Sequence, residues 1–268
     1  MNNWNPTSWP AIVKGDVEGH EFRGNQYTAG VESARSTVVA HGKETGNERV
    51  IVLDQHGGVV GDQKGHFFGA TVSQEVEAKM KDPTNQLSVV HNHPAGRSLS
   101  GGDVRYLAEH PGVKSIEAVS HHGASFLAER GGKFNAKQMG EQYDRAYKNA
   151  RESLLRDRDD GKVLQDDLEH MVDHATVESL GRSGKLLYSA NLSGPMKDSV
   201  DKHPAEFEKA VRAAVKSAYF KKSEGNDHRR RSNKDHQRGV RQDGGVGLGA
   251  APTTTNASSI IGQGHRSR

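Results

Sequence analysis

Cysteine is missing from all 268 residues. Its absence excludes disulfides and thiolate ligands, so a bound metal must rest on His, Asp, Glu or water. Aromatic side chains make up only 6%, and the hydrophobic share is 32% with a mean hydropathy of −0.81. A wholly globular chain carries roughly 45–50% apolar residues with glycine counted, so part of this one is expected not to fold by itself. No run approaches the roughly 20 apolar residues of a membrane span. The start, Met1 to Pro6, has neither a basic stretch nor an apolar core, which argues against a secretory signal. Histidine, by contrast, is abundant, with 15 copies.

Two of those histidines stand where chemistry is expected. Leu87-Ser88-Val89-Val90 is an apolar run of strand character, and His91 and His93 follow at a spacing of two. On a strand that spacing turns both imidazoles to one face, where a single ion can take both. Pro94 ends the run, the segment from Ala95 to Leu99 reverses the chain, and Ser100-Gly101-Gly102-Asp103 opens an expected short helix reaching His110. That path can bring Asp103 back to the histidines. A catalytic zinc takes three nitrogen or oxygen ligands and keeps a fourth position for water, and His91, His93 and Asp103 supply that count. The Ser100-x-x-Asp103 step is equally the signature of a helix N-cap. The two readings are compatible, since a capped helix fixes its ligand in place.

The segment HNHP, a short loop and SxxD, residues 91–103, resembles the JAMM/MPN+ zinc metallopeptidases, which include deubiquitinating isopeptidases and RadC-like bacterial proteins. The HNHP spelling is similar to the RadC-like and phage-associated branches. The resemblance implies zinc held by His91, His93 and Asp103, with Ser100 steadying the oxyanion. The five residues from Ala95 to Leu99 make the loop one residue shorter than the family's usual six. Gly96, Gly101 and Gly102 are expected to relax the backbone enough for it to close.

The resemblance also implies a general acid/base glutamate at the start of an upstream hairpin. Glu48 opens the β-branched run Arg49-Val50-Ile51-Val52-Leu53-Asp54, which ends at Gln55-His56-Gly57-Gly58 and returns through Val59-Val60-Gly61. Glu48 is the expected residue, Glu44 its fallback. The implied reaction is hydrolysis of a peptide or isopeptide amide by a metal-activated water, with a protein or peptide as substrate.

The expected fold class is α/β (α+β), a mixed sheet flanked by helices in the MPN/JAMM manner, with the catalytic domain over residues 29–135. A flexible segment, residues 1–28, precedes it. A helical domain, residues 136–221, follows, with apolar stripes from Phe134 to Arg158, Lys162 to Leu180 and Pro204 to Phe220. A short strand is expected at Leu186 to Leu192. His121 and His122 are read as exposed turn residues. His170 and His174, four apart, lack the glutamate of a HExxH motif and are read as packed or solvated.

Residues 222–268 hold nine basic against four acidic side chains, a net +5 that leaves about −2 for residues 1–221. This tail is expected to be disordered and able to touch nucleic acid weakly and without sequence preference. Residues 19–28, GHEFRGNQYT, resemble a segment of head and capsid-region proteins of actinobacterial phages. That resemblance implies a phage-encoded protein in the host cytoplasm or associated with the virion, neither secreted nor membrane-bound, with capsid or head proteins as partners. Two alternatives to the peptidase are a virion assembly protein that uses an MPN-like domain for binding and a RadC-like nucleic-acid-associated factor.

Overall fold

The valine-rich runs set the architecture, because a strand whose successive side chains are all apolar must be covered on both faces. The computed structural model describes residues 25–219 apart from Phe68. The expectations for residues 1–24 and for the basic tail lie outside the described residues. Among the described residues the order is α1 (Asn25–Thr45), β1 (Arg49–Leu53), β2 (Val59–Lys64), α2 (Gln74–Lys81), β3 (Leu87–His93), α3 (Gly101–Glu109), β4 (Val113–Ser120) and β5 (Ser125–Arg130). Then come α4 (Ala136–Asp159), α5 (Gln165–Arg182), β6 (Leu186–Asn191), α6 (Gly194–Lys202) and α7 (Pro204–Tyr219).

The six strands form one mixed sheet in the order β2-β1-β3-β4-β5-β6. β3 and β4 run parallel, joined through α3 as a crossover, and every other neighbouring pair is antiparallel. The expected α/β class is what the chain forms. β3 is buried along its whole length, as a strand placed between β1 and β4 must be.

The two faces are covered unequally. α1 lies on one face and presents Val31, Ala34 and Val38 to Ile51, Leu53, Val90 and Val119. Polar ties reinforce this modest contact: the Arg35 Nε–H is shared between both carboxylate oxygens of Glu117, at 2.9 and 3.0 Å, and Tyr27 Oη meets Ser88 Oγ at 2.6 Å. The opposite face, with Val50, Val52, Val89, Ile116, Ala118 and Phe126, shares one large buried cluster with side chains of α2, α3, α4, α5 and α7. The metal-type residues face this second side.

The region expected as a helical domain is continuous with the sheet. β6, residues 186–191, pairs along the full length of β5, and Met139, Leu154, Met171 and Val211 pack in the same cluster as the strands. α6 was not anticipated: GPMKDSVDK is short and polar, and it starts at a proline in the first helical turn. Among the described residues no helix is long and apolar enough to cross a membrane.

Candidate metal centre

β3 delivers two imidazoles to one face because its pleat alternates, and α3 brings the carboxylate back. His91 and Asp103 are fully buried and His93 is 6% exposed. The donor atoms converge: His91 Nε2 lies 2.9 Å from His93 Nε2 and 3.2 Å from Asp103 Oδ1, and His93 Nε2 lies 3.5 Å from Asp103 Oδ2. Ligands about 2.0–2.2 Å from a tetrahedral zinc sit roughly 3.3–3.6 Å from one another. The observed spacing is near that, drawn in slightly at the histidine pair. Among the described residues this is the one group of three or more His, Cys, Asp or Glu side chains that can hold a metal ion.

The ring of His93 is oriented by its far nitrogen. Nδ1 is 3.1 Å from both the Arg97 and Ser98 carbonyl oxygens. Carbonyls only accept, so Nδ1 carries the proton and Nε2 turns its lone pair toward the centre. Burial lowers the pKa of His93, against the pull of Asp103, so the neutral ring that ligation requires is favoured. His91 Nδ1 and Asp103 Oδ1 are buried without a hydrogen-bond partner. Buried polar atoms are seldom left this way, and a cation between the donors would account for Asp103 Oδ1.

Asp103 is fixed by a reciprocal cap. Ser100 N and Oγ donate to Asp103 Oδ2 at 2.7 and 2.8 Å, and Asp103 N donates to Ser100 Oγ at 3.3 Å. The cap is present, and it leaves Asp103 Oδ1 turned toward the two histidines, so capping does not compete with a ligand placement. Burial would raise the Asp103 pKa, but the proximity of His91, then that of His93 and the hydrogen bond from the Ser100 amide, outweigh it and hold the carboxylate ionised. Ser100's hydroxyl proton is directed at Asp103 Oδ2.

The connecting loop closes at five residues with less glycine freedom than expected. Only Gly96 has a left-handed backbone, at φ +72°, among the three glycines. Gly101 serves another purpose: a Cβ there would lie 2.8 Å from the Tyr143 ring, which packs on the start of α3.

Glu48 is 3% exposed, and its Oε2 has no hydrogen-bond partner. Burial, and then the charge of Asp103, push its pKa up to about 10. It lies outside the converged ligand group. Its backbone is held tightly: Glu48 N donates to His66 O at 3.0 Å and Glu48 O accepts from Gly65 N at 2.9 Å. Asn92, between the two histidines, accepts from Arg49 N at 2.8 Å and donates to Asn47 O at 3.0 Å. One buried amide thus grips the chain on either side of Glu48. Glu44 is exposed in the last turn of α1 and takes no part.

His121 is half-buried with Nε2 3.2 Å from the Asn92 amide nitrogen, so only His122 is the exposed turn residue expected. His174 is buried, stacked on Phe207 and bonded to Tyr188, while His170 meets Ser199 Oγ at 3.2 Å; both are packing residues, as read. Around the centre, α4 and α5 add Tyr143, whose hydroxyl donates to Asp173 Oδ1 at 2.9 Å, and Glu169, which accepts from Arg97 at 3.2 Å. Burial pushes the Asp173 pKa up to about 6, despite the Tyr143 hydrogen bond. Sequence reading missed Asn92, Ser98, Asp173 and Tyr188. Tyr143 appeared there only as part of an apolar stripe.

No protein-family model matches the chain, and neither a curated protein nor a solved structure matches it.

Proposed function

We propose that this protein is a metal-dependent hydrolase of amide bonds, with zinc as its cation and a protein or peptide as its substrate, in the manner of the JAMM/MPN+ enzymes that residues 91–103 resemble. The observation that carries this reading is Glu48: a buried carboxyl group without a partner for Oε2, close enough to Asp103 for its charge to raise the Glu48 pKa, yet outside the converged group. Three ligands with a separate carboxyl nearby is the catalytic arrangement; a structural zinc takes four protein ligands.

A bound zinc ion supplies the charge that lowers the pKa of a water to about 7 and polarises a carbonyl oxygen. Glu48 accepts the water proton and passes it to the amine nitrogen as the C–N bond breaks. For that it must be ionised. Burial and the charge of Asp103 keep it protonated, so Glu48 would act as the base only with a dication held by His91, His93 and Asp103, whose charge would favour the Glu48 anion against both. Asp103 and His93 enter with their geometry set, by the Ser100 cap and by two backbone carbonyls. Ser100 serves first to orient Asp103, and it reaches an oxyanion only by exchanging Asp103 Oδ2 for it.

The test is metal content and peptide cleavage measured together. Metal-stripped protein is loaded with Zn2+ or Co2+ and mixed with a peptide library from a whole-proteome digest, and new N-termini are counted by mass spectrometry. Wild type is expected to cleave, with His91→Ala losing metal and cleavage and Glu48→Gln losing cleavage alone. The near-complete burial of all three donors favours, as second reading, a binding module whose metal is structural. Bound metal with no Glu48-dependent cleavage decides for that reading.

A further inference from the structure

The residues that receive the His93 proton are themselves held from the helical half of the molecule. Arg97 and Ser98 are adjacent in the β3–α3 loop, and each offers its carbonyl to His93 Nδ1 at 3.1 Å. Their side chains reach α5 and β6. Arg97 donates to Glu169 of α5 at 3.2 Å. Ser98 Oγ, fully buried, meets Tyr188 Oη of β6 at 2.9 Å, and Tyr188 Oη lies 3.0 Å from His174 Nδ1 of α5. His174 is in turn wedged by Phe126 and Phe207, with ring centroids 5.8 and 4.9 Å away. A chain of contacts therefore runs from the buried core of α5 and α7, through one tyrosine hydroxyl, to the backbone that orients a metal ligand.

We propose that Tyr188 is a positioning residue for the metal centre: its hydroxyl anchors Ser98, so that the Arg97 and Ser98 carbonyls hold the His93 proton on Nδ1 and leave Nε2 as the donor. This rests on the metal reading given above. Without the anchor, the loop retains the Arg97–Glu169 contact, which is partly exposed and so a weaker restraint. The carbonyl pair then drifts, the His93 ring swings, and both tautomers become populated. Partners bonded directly to a ligand, as the two carbonyls are to His93, are worth about 10–100-fold in metal affinity, and a residue that holds them is expected at the lower end.

The experiment compares wild type with Tyr188→Phe, Ser98→Ala and the double variant. Zn2+ affinity is measured by competition with a chromophoric chelator, and the His93 tautomer of the metal-free protein by 15N-resolved NMR of the imidazoles. Each single variant is expected to bind Zn2+ about tenfold more weakly. The double variant is expected to be no weaker than either single one, because both cut the same link. His93 should pass from a single Nδ1–H form to a mixture. A distant core variant, Met196→Ala of α6, controls for loss of stability and should keep wild-type affinity and tautomer. Wild-type affinity and an unchanged tautomer in Tyr188→Phe would overturn the proposal, as would an equal loss in Met196→Ala. Should wild type bind no Zn2+, the metal reading falls, and the tautomer alone decides: a shift in Tyr188→Phe supports the positioning role and no shift overturns it.

Discussion

β3 carries His91 and His93 two residues apart, and α5 carries His170 and His174 four apart, so either spacing sends two imidazoles to one side of its element. On β3 the Nε2 atoms converge to 2.9 Å with a carboxylate beside them. On α5 the rings part: one Nδ1 turns to Ser199 and the other to Tyr188. The difference lies less in spacing than in what claims the other atoms of each ring. His93 has its Nδ1 occupied by carbonyls and its Nε2 turned to His91 and Asp103, whereas His174 has Nδ1 bonded to a tyrosine and its ring enclosed by aromatic neighbours. A shared face is therefore only a precondition for a ligand pair. The third donor and the outer hydrogen bonds complete it.

The sharpest way to break this contrast is to remove one histidine from each pair. His91→Ala is expected to weaken Zn2+ binding by more than about a hundredfold, beyond the loss seen for outer partners, while His170→Ala leaves it unchanged; a chelator-competition titration reads both. Glu48→Gln should hold Zn2+ with near wild-type affinity and lower peptide turnover by roughly 10²–10⁴-fold, measured by single-substrate kinetics once a cleaved peptide is in hand. In metal-stripped protein the same substitution has a second signature. The folded pKa of Glu48, about 10, lies above its ordinary 4.5, so the stability Glu48 contributes is complete below pH 4.5 and is lost as pH rises toward 10. Glu48→Gln, which does not titrate, should gain on wild type in urea melts as pH increases across that window.

A smaller effect is expected at the residue between the two ligands. Asn92→Ala leaves Arg49 N and Asn47 O without their side-chain partner and should cost about 1–3 kcal/mol in chemical denaturation, with metal affinity changed less than in His91→Ala. The α5 pair gives the weakest signal, confined to acid. Burial depresses the His174 pKa to about 4 from 6.5, so folding is penalised as pH falls from 6.5 through 4, where the unfolded chain takes up the proton first. Thermal melts of His174→Gln should therefore lose less between pH 7 and pH 4.5 than those of wild type.

What the sequence disclosed of this site was its local part. The run LSVV reads as a buried strand because every position is apolar or small, and HNH continues it. SxxD reads as a cap at any helix start, and the Glu48 hairpin announces itself through two glycines after a β-branched run. Each of these signals lies within a dozen residues. Asn92 and Tyr188 were silent for the opposite reason. Asn92 acts on residues 47 and 49 only because β1 lies antiparallel beside β3, and Tyr188 acts on residue 98 only because β6 closes the sheet against β5. Strand neighbours distant in sequence leave no periodic trace in either segment. α6 escaped for a milder cause: its buried residues, Met196 and Ser199, are too few for a stripe. Near residue 135 the chain passes from β5 to α4, and the buried cluster runs across that point.

The three donors of the centre fall between residues 91 and 103, a stretch so short that closing it costs the chain little entropy, while Glu48 and Tyr188 arrive from far upstream and far downstream. Were a divalent ion taken up by this one strand, turn and helix before the outer strands dock, it would pin β3 to α3 and shorten the remaining search, so refolding in its presence should run faster than in a chelator.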